Sequence, residues 1–324
     1  MKSKVTIRDV AYIAGVSIST VSRVVSGKLN VSEATLKKVQ DAINKIGYEP
    51  NYTAKALATN STDSIAVVID RTPTQGFGNS FFLDALDGIA NKLSEYKKDM
   101  ILIFDAGTNG FEDEGIKRLI STSKIDACIK LSVQKNDATL NYLTSSKTPT
   151  VVVGRVEGLD VKTVNNDNKK AMKEATQYLI DKGCKKIAFV GGSINYIVTV
   201  DRREGFIEAL KENNIKISED DFYYTEFSKD AGYEVASKLL EKNYDAVACT
   251  DDLLAYGINN KYHEDDKFIN IVSFNNTYLS EISDIPISSV DINAKILGEK
   301  SVELLFDDSC VNDIIVEANL IIRS

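Results

Sequence analysis

A chain of 324 residues, 43% hydrophobic and 27% charged, is long enough for two or three domains and a large core. It contains no run approaching eighteen apolar residues, which excludes a membrane-spanning helix. The net charge of −8 hides an asymmetry: residues 1–60 hold nine Lys and Arg against four Asp and Glu, and the rest holds thirty against forty-three. A basic N-terminal module on an acidic body is the electrostatic footprint of a nucleic-acid binder whose body stays off the polyanion.

From the N-terminus, apolar residues recur at helical spacing in two short blocks, Ile7-Val10-Ala11-Ala14 and Val21-Val24-Val25. Between them, Gly15 can take the positive φ of a sharp turn. Thr6 and Ser17 are good N-caps, and small Ala11 lets the helices cross closely. The pattern predicts helices over about 6–14, 17–26 and 33–45. Ser32 caps the third, and Leu36, Val39, Ala42 and Ile43 face inward. This is a helix-turn-helix, whose second helix lies in the DNA major groove. Ile18, Ser19, Thr20, Ser22 and Arg23 occupy its outward face, where Ser and Thr reach base edges or phosphates and Arg pairs with guanine. Tyr48-Glu49-Pro50-Asn51 stops the third helix, and residues 51–59 read as a short helix too brief to be stable alone.

From Ser64 the pattern alternates strand and helix. Strand-like runs cover 65–70, 101–106, 126–132, 150–155, 186–192, 245–250 and 268–274. Helical stretches cover about 82–97, 113–123, 137–146, 167–182, 201–213, 229–242 and 252–261. Near-continuous apolar strands between helices predict parallel sheets covered on both faces. A composition break near Val161–Val164 and a return segment near Ser288–Ile292 suggest two α/β lobes joined by crossover strands. A ligand would then sit in a cleft outside the strands' carboxyl ends. The polar or aromatic groups expected there are Phe81 and Phe82, Gly154 and Arg155, Asp251 and Asp252, Asn275 and Asn276, with Arg202 near a helix start.

Cys128, Cys184, Cys249 and Cys310 are widely spaced, and with a single histidine they form no zinc pattern. They are expected to be small buried residues. No metal or cofactor is expected. The N-terminal MKSKVTIRDV lacks an apolar signal region, so a cytoplasmic protein with reduced thiols is expected.

The motif T-I-x-D-V-A-x-x-A-G-V-S-x-x-T-V-S-R-V, then V-S-E-x-T at Val31–Thr35 and G-Y-x-P-N at Gly47–Asn51, resembles the lac repressor family of bacterial transcription regulators. The resemblance implies an all-α headpiece (1–47), a hinge helix and linker (48–62), and a two-lobed effector domain of the periplasmic-binding-protein type (63–324). The N-lobe would span about 63–162 and 291–319, and the C-lobe about 163–290 and 320–324. The DNA-facing set becomes Thr6, Ser17, Ile18, Ser19, Thr20, Ser22, Arg23, Asn30, Ser32, Thr35 and Tyr48, with Asn51, Ala54 and Leu57 on the hinge. Leu57 would wedge into the minor groove at the centre of the operator. Leu36 stands where the family often has arginine, and Ser26 where asparagine is common, which implies a shallower salt dependence.

The same resemblance assigns effector contacts to Phe81, Phe82, Arg155, Arg202, Phe227, Asp251 and Asn275. Arginines and carboxyl or amide groups around aromatic rings suit a polyhydroxylated sugar. Gly154-Arg155, Asn275-Asn276 and S-S-V-D-I at Ser288–Ile292 most resemble the maltose-regulator branch, which implies maltose or a related α-glucoside; ribose, a purine or a corepressor protein is the alternative. A pseudo-palindromic operator implies a homodimer. Two rival classes are weaker. A sugar-transport protein would share the body but not the basic headpiece. An enzyme lacks support, since His263 sits in a charged loop-like stretch without a nucleophile elbow or metal partner, and Asp251-Asp252 read as a ligand contact plus a helix cap.

Overall fold

The computed structural model describes residues 5–25, 31–49, 61–105, 114–307, 309 and 311–323. Two compact units divide the chain, Met1–Asp63 and Ser64–Ser324.

In the first unit, α1 (Ile7–Ala14), α2 (Ile18–Val25) and α3 (Glu33–Ile46) enclose a small core of Val10, Ala11, Val21, Val39 and Ala42. Thr6 begins α1 by donating both its backbone N–H and its hydroxyl to the Asp9 carboxylate, each at 2.8 Å. Gly15 then turns the chain at φ 65°. A side chain is strained in that left-handed region, which is why the turn falls on glycine. Ser17 caps α2 by accepting from the Thr20 N–H at 3.1 Å. Ser32 caps α3 in the same way through the Thr35 N–H. One expectation fails here: Leu36 is 49% exposed and outside the core. The α3 side chains that pack inward begin at Val39 and continue through Ala42, Ile43 and Ile46, so the first turn of this fourteen-residue helix is uncovered by its two eight-residue partners.

The second unit holds two six-stranded sheets. The first half contributes β1 (Ser64–Ile69), α4 (Pro73–Gly78), α5 (Ser80–Glu95), β2 (Asp99–Phe104), α6 (Glu114–Ser121), β3 (Ala127–Leu131), α7 (Ala138–Ser145), β4 (Thr150–Val153) and β5 (Lys162–Asn165). The chain then passes into the other half through α8 (Asn168–Asp181), β6 (Ile187–Gly191), α9 (Ile197–Glu212), β7 (Phe222–Tyr224), α10 (Lys229–Lys242), β8 (Ala246–Cys249), α11 (Asp252–Glu264), β9 (Asn270–Phe274), α12 (Tyr278–Ile282) and β10 (Ser288–Asp291). It returns through α13 (Ala294–Leu305) to β11 (Asp313–Ile315) and finishes at β12 (Asn319–Ile321).

The strand orders are β11-β5-β4-β3-β1-β2 and β12-β10-β9-β8-β6-β7. Every pairing is parallel except that of β10 with β12. The central strands are apolar because helices cover both faces; Ile65 through Ile69 are all fully buried. Helix α13 packs its Leu297 and Val302 into the core that α5 lines with Ala85 and Ile89. Gly88 and Gly298 make that crossing possible, since a Cβ on either would collide with the backbone carbonyl of Lys295 or Ala85.

The seven apolar runs all form strands. Residues 162–165 and 288–291 are internal strands of their sheets, and β7, β11 and β12 are short edge strands that no apolar run announces. Helix α11 extends to Glu264, so His263 lies on a helix and not in a loop. Cys128, Cys184 and Cys249 are free and buried, whereas Cys310 lies outside the described residues. Among the described residues no helix is long and apolar enough to cross a membrane.

Candidate functional site

The first unit presents a polar helix face. Ser17, Ile18, Ser19 and Arg23 are exposed on or just before α2, and Thr20 and Ser22 are half-buried beside them. Ile18 is 46% exposed despite being apolar, so it is available for contact outside the unit. The Ser17 hydroxyl lies 2.7 Å from that of Ser19 and 2.8 Å from that of Thr20, which orders the start of the helix. Thr6 and Ser32 are exposed at the starts of α1 and α3, and Thr35 and Tyr48 are half-buried. Ser26, Asn30, Asn51, Ala54 and Leu57, and with them the hinge-helix expectation, lie outside the described residues.

In the second unit, the carboxyl ends of the two sheets face each other across a cleft enclosing about 730 Å³ of empty space, part of it open to solvent. That is within the size range of small-ligand sites. All seven residues assigned to the effector line it: Phe81, Phe82, Arg155, Arg202, Phe227, Asp251 and Asn275. Beside them the cleft holds Arg71, Asn79, Asn166, Asn168 and Asp201, none of which was in that set.

Asp251 is the hub. It caps α11 by accepting the Leu253 N–H on Oδ1 at 2.8 Å. Its Oδ2 accepts the Asn79 amide at 2.8 Å and the Asn275 amide at 2.9 Å. Burial raises the Asp251 pKa, and the Asn79 hydrogen bond works against it. Asp252 differs from the expected helix cap. It is fully buried and accepts from the Thr277 N–H at 2.7 Å and the Ser289 hydroxyl at 2.7 Å, tying α11 to the start of α12 and to β10. Burial pushes its pKa to about 6. The cap is Asp251 itself, because the residue before the first helical position is the one whose oxygen can reach the unsatisfied N–H groups.

Arg202 is 5% exposed and lies with its guanidinium 3.9 Å from the Phe274 ring centroid. Its Nε donates to the Asn168 side chain at 2.9 Å and its Nη1 to the Thr250 carbonyl at 2.6 Å. Burial lowers its pKa to about 9, which leaves it charged at neutral pH. Arg155 is less open than its assignment suggests. Its Nε and Nη2 grip Asp201 at 2.5 to 3.1 Å, and Nη1 pairs with Glu157. Phe81 and Phe82 pack edge to face with centroids 5.0 Å apart. Phe82 is largely in the core, and Phe81 is half-buried. Phe227 lies against Tyr196, 5.9 Å between centroids.

Arg71 is outside the expected set, in which the residues after β1 are the aromatic pair Phe81–Phe82. The signal was nearer: Arg71 comes two residues after the last residue of β1, at the carboxyl end where a ligand of a parallel sheet sits. Several contacts join the two halves across the cleft. The Lys135 N–H donates to the Asn195 carbonyl at 2.7 Å and the Ile197 N–H to the Val133 carbonyl at 3.0 Å, framing a bridge between Gln134 and Tyr196.

Comparison with known proteins accounts for both units. The description "Periplasmic binding proteins and sugar binding domain of LacI family" matches residues 62–321, and "Bacterial regulatory proteins, lacI family" matches residues 6–51. The chain belongs to the lac repressor family. It is a DNA-binding transcriptional regulator and not an enzyme. The regulator is 33% identical over 317 residues to the HTH-type transcriptional regulator MalR of Streptococcus pneumoniae, covering 95% of this chain and 93% of that protein. It is similar in structure to the transcriptional regulator CelR in its cellobiose complex, with a TM-score of 0.74 and 27% identity over 98% of this chain and 99% of that one. It shares its fold with the Lac repressor dimer bound to operator and an anti-inducer, with a TM-score of 0.82 and 19% identity over 99% of this chain and 98% of that one.

Proposed function

We propose that the regulator is a cytoplasmic homodimeric repressor whose hold on a pseudo-palindromic operator is set by a small carbohydrate in the cleft, with maltose or a related α-glucoside the first candidate. The observation that carries this reading is the Asn79–Asp251–Asn275 cluster: a carboxylate and two amides, with Arg202 and Phe227 beside them, in the same chain as a helix-turn-helix. Carboxylate and amide groups exchange hydrogen bonds with vicinal hydroxyls, and an aromatic ring covers the apolar face of a sugar. The 33% identity to a regulator named MalR supports the α-glucoside, and the CelR complex makes cellobiose the natural comparison.

Coupling follows from geometry. Asn79 and Arg155 belong to the first half of the second unit, and Asp251 and Asp201 to the other. A sugar that replaces or tightens these cross-cleft contacts favours one angle between the halves over another. Ser17, Ile18, Ser19, Thr20, Ser22 and Arg23 would enter the major groove, with Thr6, Ser32, Thr35 and Tyr48 at the backbone. Asn51, Ala54 and Leu57 would act in the central minor groove. A coupling free energy of about 1–3 kcal/mol is enough for such a switch.

The test is a mobility-shift titration of DNA from upstream of the gene with the full chain, alone and with maltose, cellobiose or ribose. Operator release by maltose supports the proposal. Retention that is indifferent to every sugar overturns the carbohydrate reading, and tightening by maltose overturns induction while preserving the effector.

A further inference from the structure

Among the described residues three arginines line the cleft, and only Arg155 is in ion-pair contact with a carboxylate. Arg155 is held by Asp201 and Glu157. Arg71 is 8% exposed, and neither it nor Arg202 lies within 4.0 Å of a carboxylate among the described residues. The carboxylates around Arg71 are committed elsewhere. Asp70 receives the Gln134 amide at 2.8 Å and faces Lys130 at 3.7 Å, while Asp251 is filled by Asn79, Asn275 and the Leu253 N–H. The wall as a whole is not short of negative charge, since Arg155 stands against both Asp201 and Glu157 and Lys130 against both Asp70 and Asp137. What is missing is local: Asp70 and Asp251 act on Arg71 through space, but no carboxylate is in contact with its guanidinium among the described residues.

The surroundings of Arg71 hold it in place without neutralising it. Its guanidinium lies 3.8 Å from the Tyr196 ring centroid, 5.3 Å from that of Phe227 and 5.7 Å from that of Phe82. Nη1 donates to the Asp70 carbonyl at 2.5 Å. Rings attract the cation weakly through their faces, and a carbonyl oxygen satisfies an individual N–H group, but neither supplies a full counter-charge. A buried charge without a counter-ion is costly, and a ligand that brings one relieves that cost. A planar guanidinium with donors to spare fits the oxygens of a phosphate or carboxylate, and such charge-assisted pairs are the strong ones.

We propose that the effector is an anionic saccharide, bearing a phosphate or a carboxylate, and that Arg71 receives the charged group. This rests on the carbohydrate reading of the cleft and narrows it. The hydroxyls go to the Asp251 cluster, and the anion goes to the aromatic box around Arg71.

The test is calorimetric titration of the full chain with maltose, maltose 6′-phosphate, glucuronate and inorganic phosphate at two salt concentrations. A phosphorylated or acidic sugar is expected to bind at least tenfold more tightly than its neutral counterpart, with an advantage that shrinks in high salt. Arg71→Met is expected to erase that advantage, and Arg71→Lys, which keeps the charge but not the fork, to retain part of it. Equal or tighter binding of maltose by the wild type overturns the proposal and leaves the carbohydrate reading standing. Maltose binding that improves in Arg71→Met also overturns it, because the guanidinium then merely fills a place meant for a sugar ring. Inorganic phosphate binding as tightly as the phosphorylated sugar shows an anion site independent of saccharide and overturns it too. Binding of none of these compounds removes the carbohydrate reading along with it.

Discussion

The Asn79 amide donates to the Asp251 carboxylate at 2.8 Å from the opposite half of the second unit. The pair joins the residue that caps α5 to the residue that caps α11. Each therefore fixes a helix start in its own half while meeting the other across the cleft.

Asp251→Asn replaces the acceptor shared by two amides with a group that accepts on one side only. Sugar affinity is expected to fall at least tenfold, equivalent to about 1.4 kcal/mol. Operator binding without sugar should persist. Calorimetry and a mobility shift with and without maltose check this, and an unimpaired sugar response would contradict the role given to Asp251.

Leu36→Arg tests whether this side of α3 faces the DNA backbone. The residue is exposed, so the change costs little packing. Operator affinity is expected to rise at low salt, and the slope of log K against log salt to steepen by about 0.9 for one added phosphate contact. An unchanged slope would place Leu36 away from DNA.

Lys130 is fully buried in β3, with Nζ 3.0 Å from Asp137 and 3.7 Å from Asp70. Burial pulls its pKa down, and the two aspartates more than offset that. Lys130→Met would leave both carboxylates buried without a cation. A loss of about 3–5 kcal/mol is expected in urea unfolding, because removing one partner of a buried pair strands the other. The deficit should shrink as pH falls and Asp70, whose pKa burial already raises, takes up a proton.

Asp252 supplies a pH dependence of definite sign. Its pKa is raised to about 6 in the folded chain from an ordinary value near 3.8. Between those values the unfolded chain has already lost the proton and the folded chain has not. This group therefore contributes stability below about pH 4 that disappears as pH rises through about 6, worth at most about 3 kcal/mol. Asp252→Asn keeps an acceptor for the Thr277 N–H and does not titrate. The difference in melting temperature between the variant and the wild type should move in the variant's favour from pH 4 to pH 7; a constant difference would count against the raised pKa.

Much of this architecture is written in local pattern. β1 through β4, β6, β8 and β9 are runs of apolar residues that only a doubly covered parallel sheet accommodates, and Gly15 and Ser17 mark the helix-turn-helix without help. β10 is harder to read. Its Ser288 and Ser289 are fully buried, and what makes them acceptable is a partner such as Asp252, thirty-seven residues from Ser289. The cleft divides the same way. Asp251 announces itself at a strand end, and Arg202 in the second turn of a helix. That Arg155 is occupied by Asp201 depends on a pairing over forty-six residues, and that Arg71 has no such partner depends on every neighbour being engaged.

The last two strands lie three residues apart in the chain and in different sheets: β11 completes the edge beside β5, and β12 the edge beside β10. A ribosome delivers these segments late. The half that is synthesised first thus lacks α13 and β11 until nearly the whole chain has emerged, while the half made second is by then almost complete. Order of synthesis and order of completion are reversed, and a nascent chain stalled before α13 would expose the α5 face around Gly88 that α13 otherwise covers.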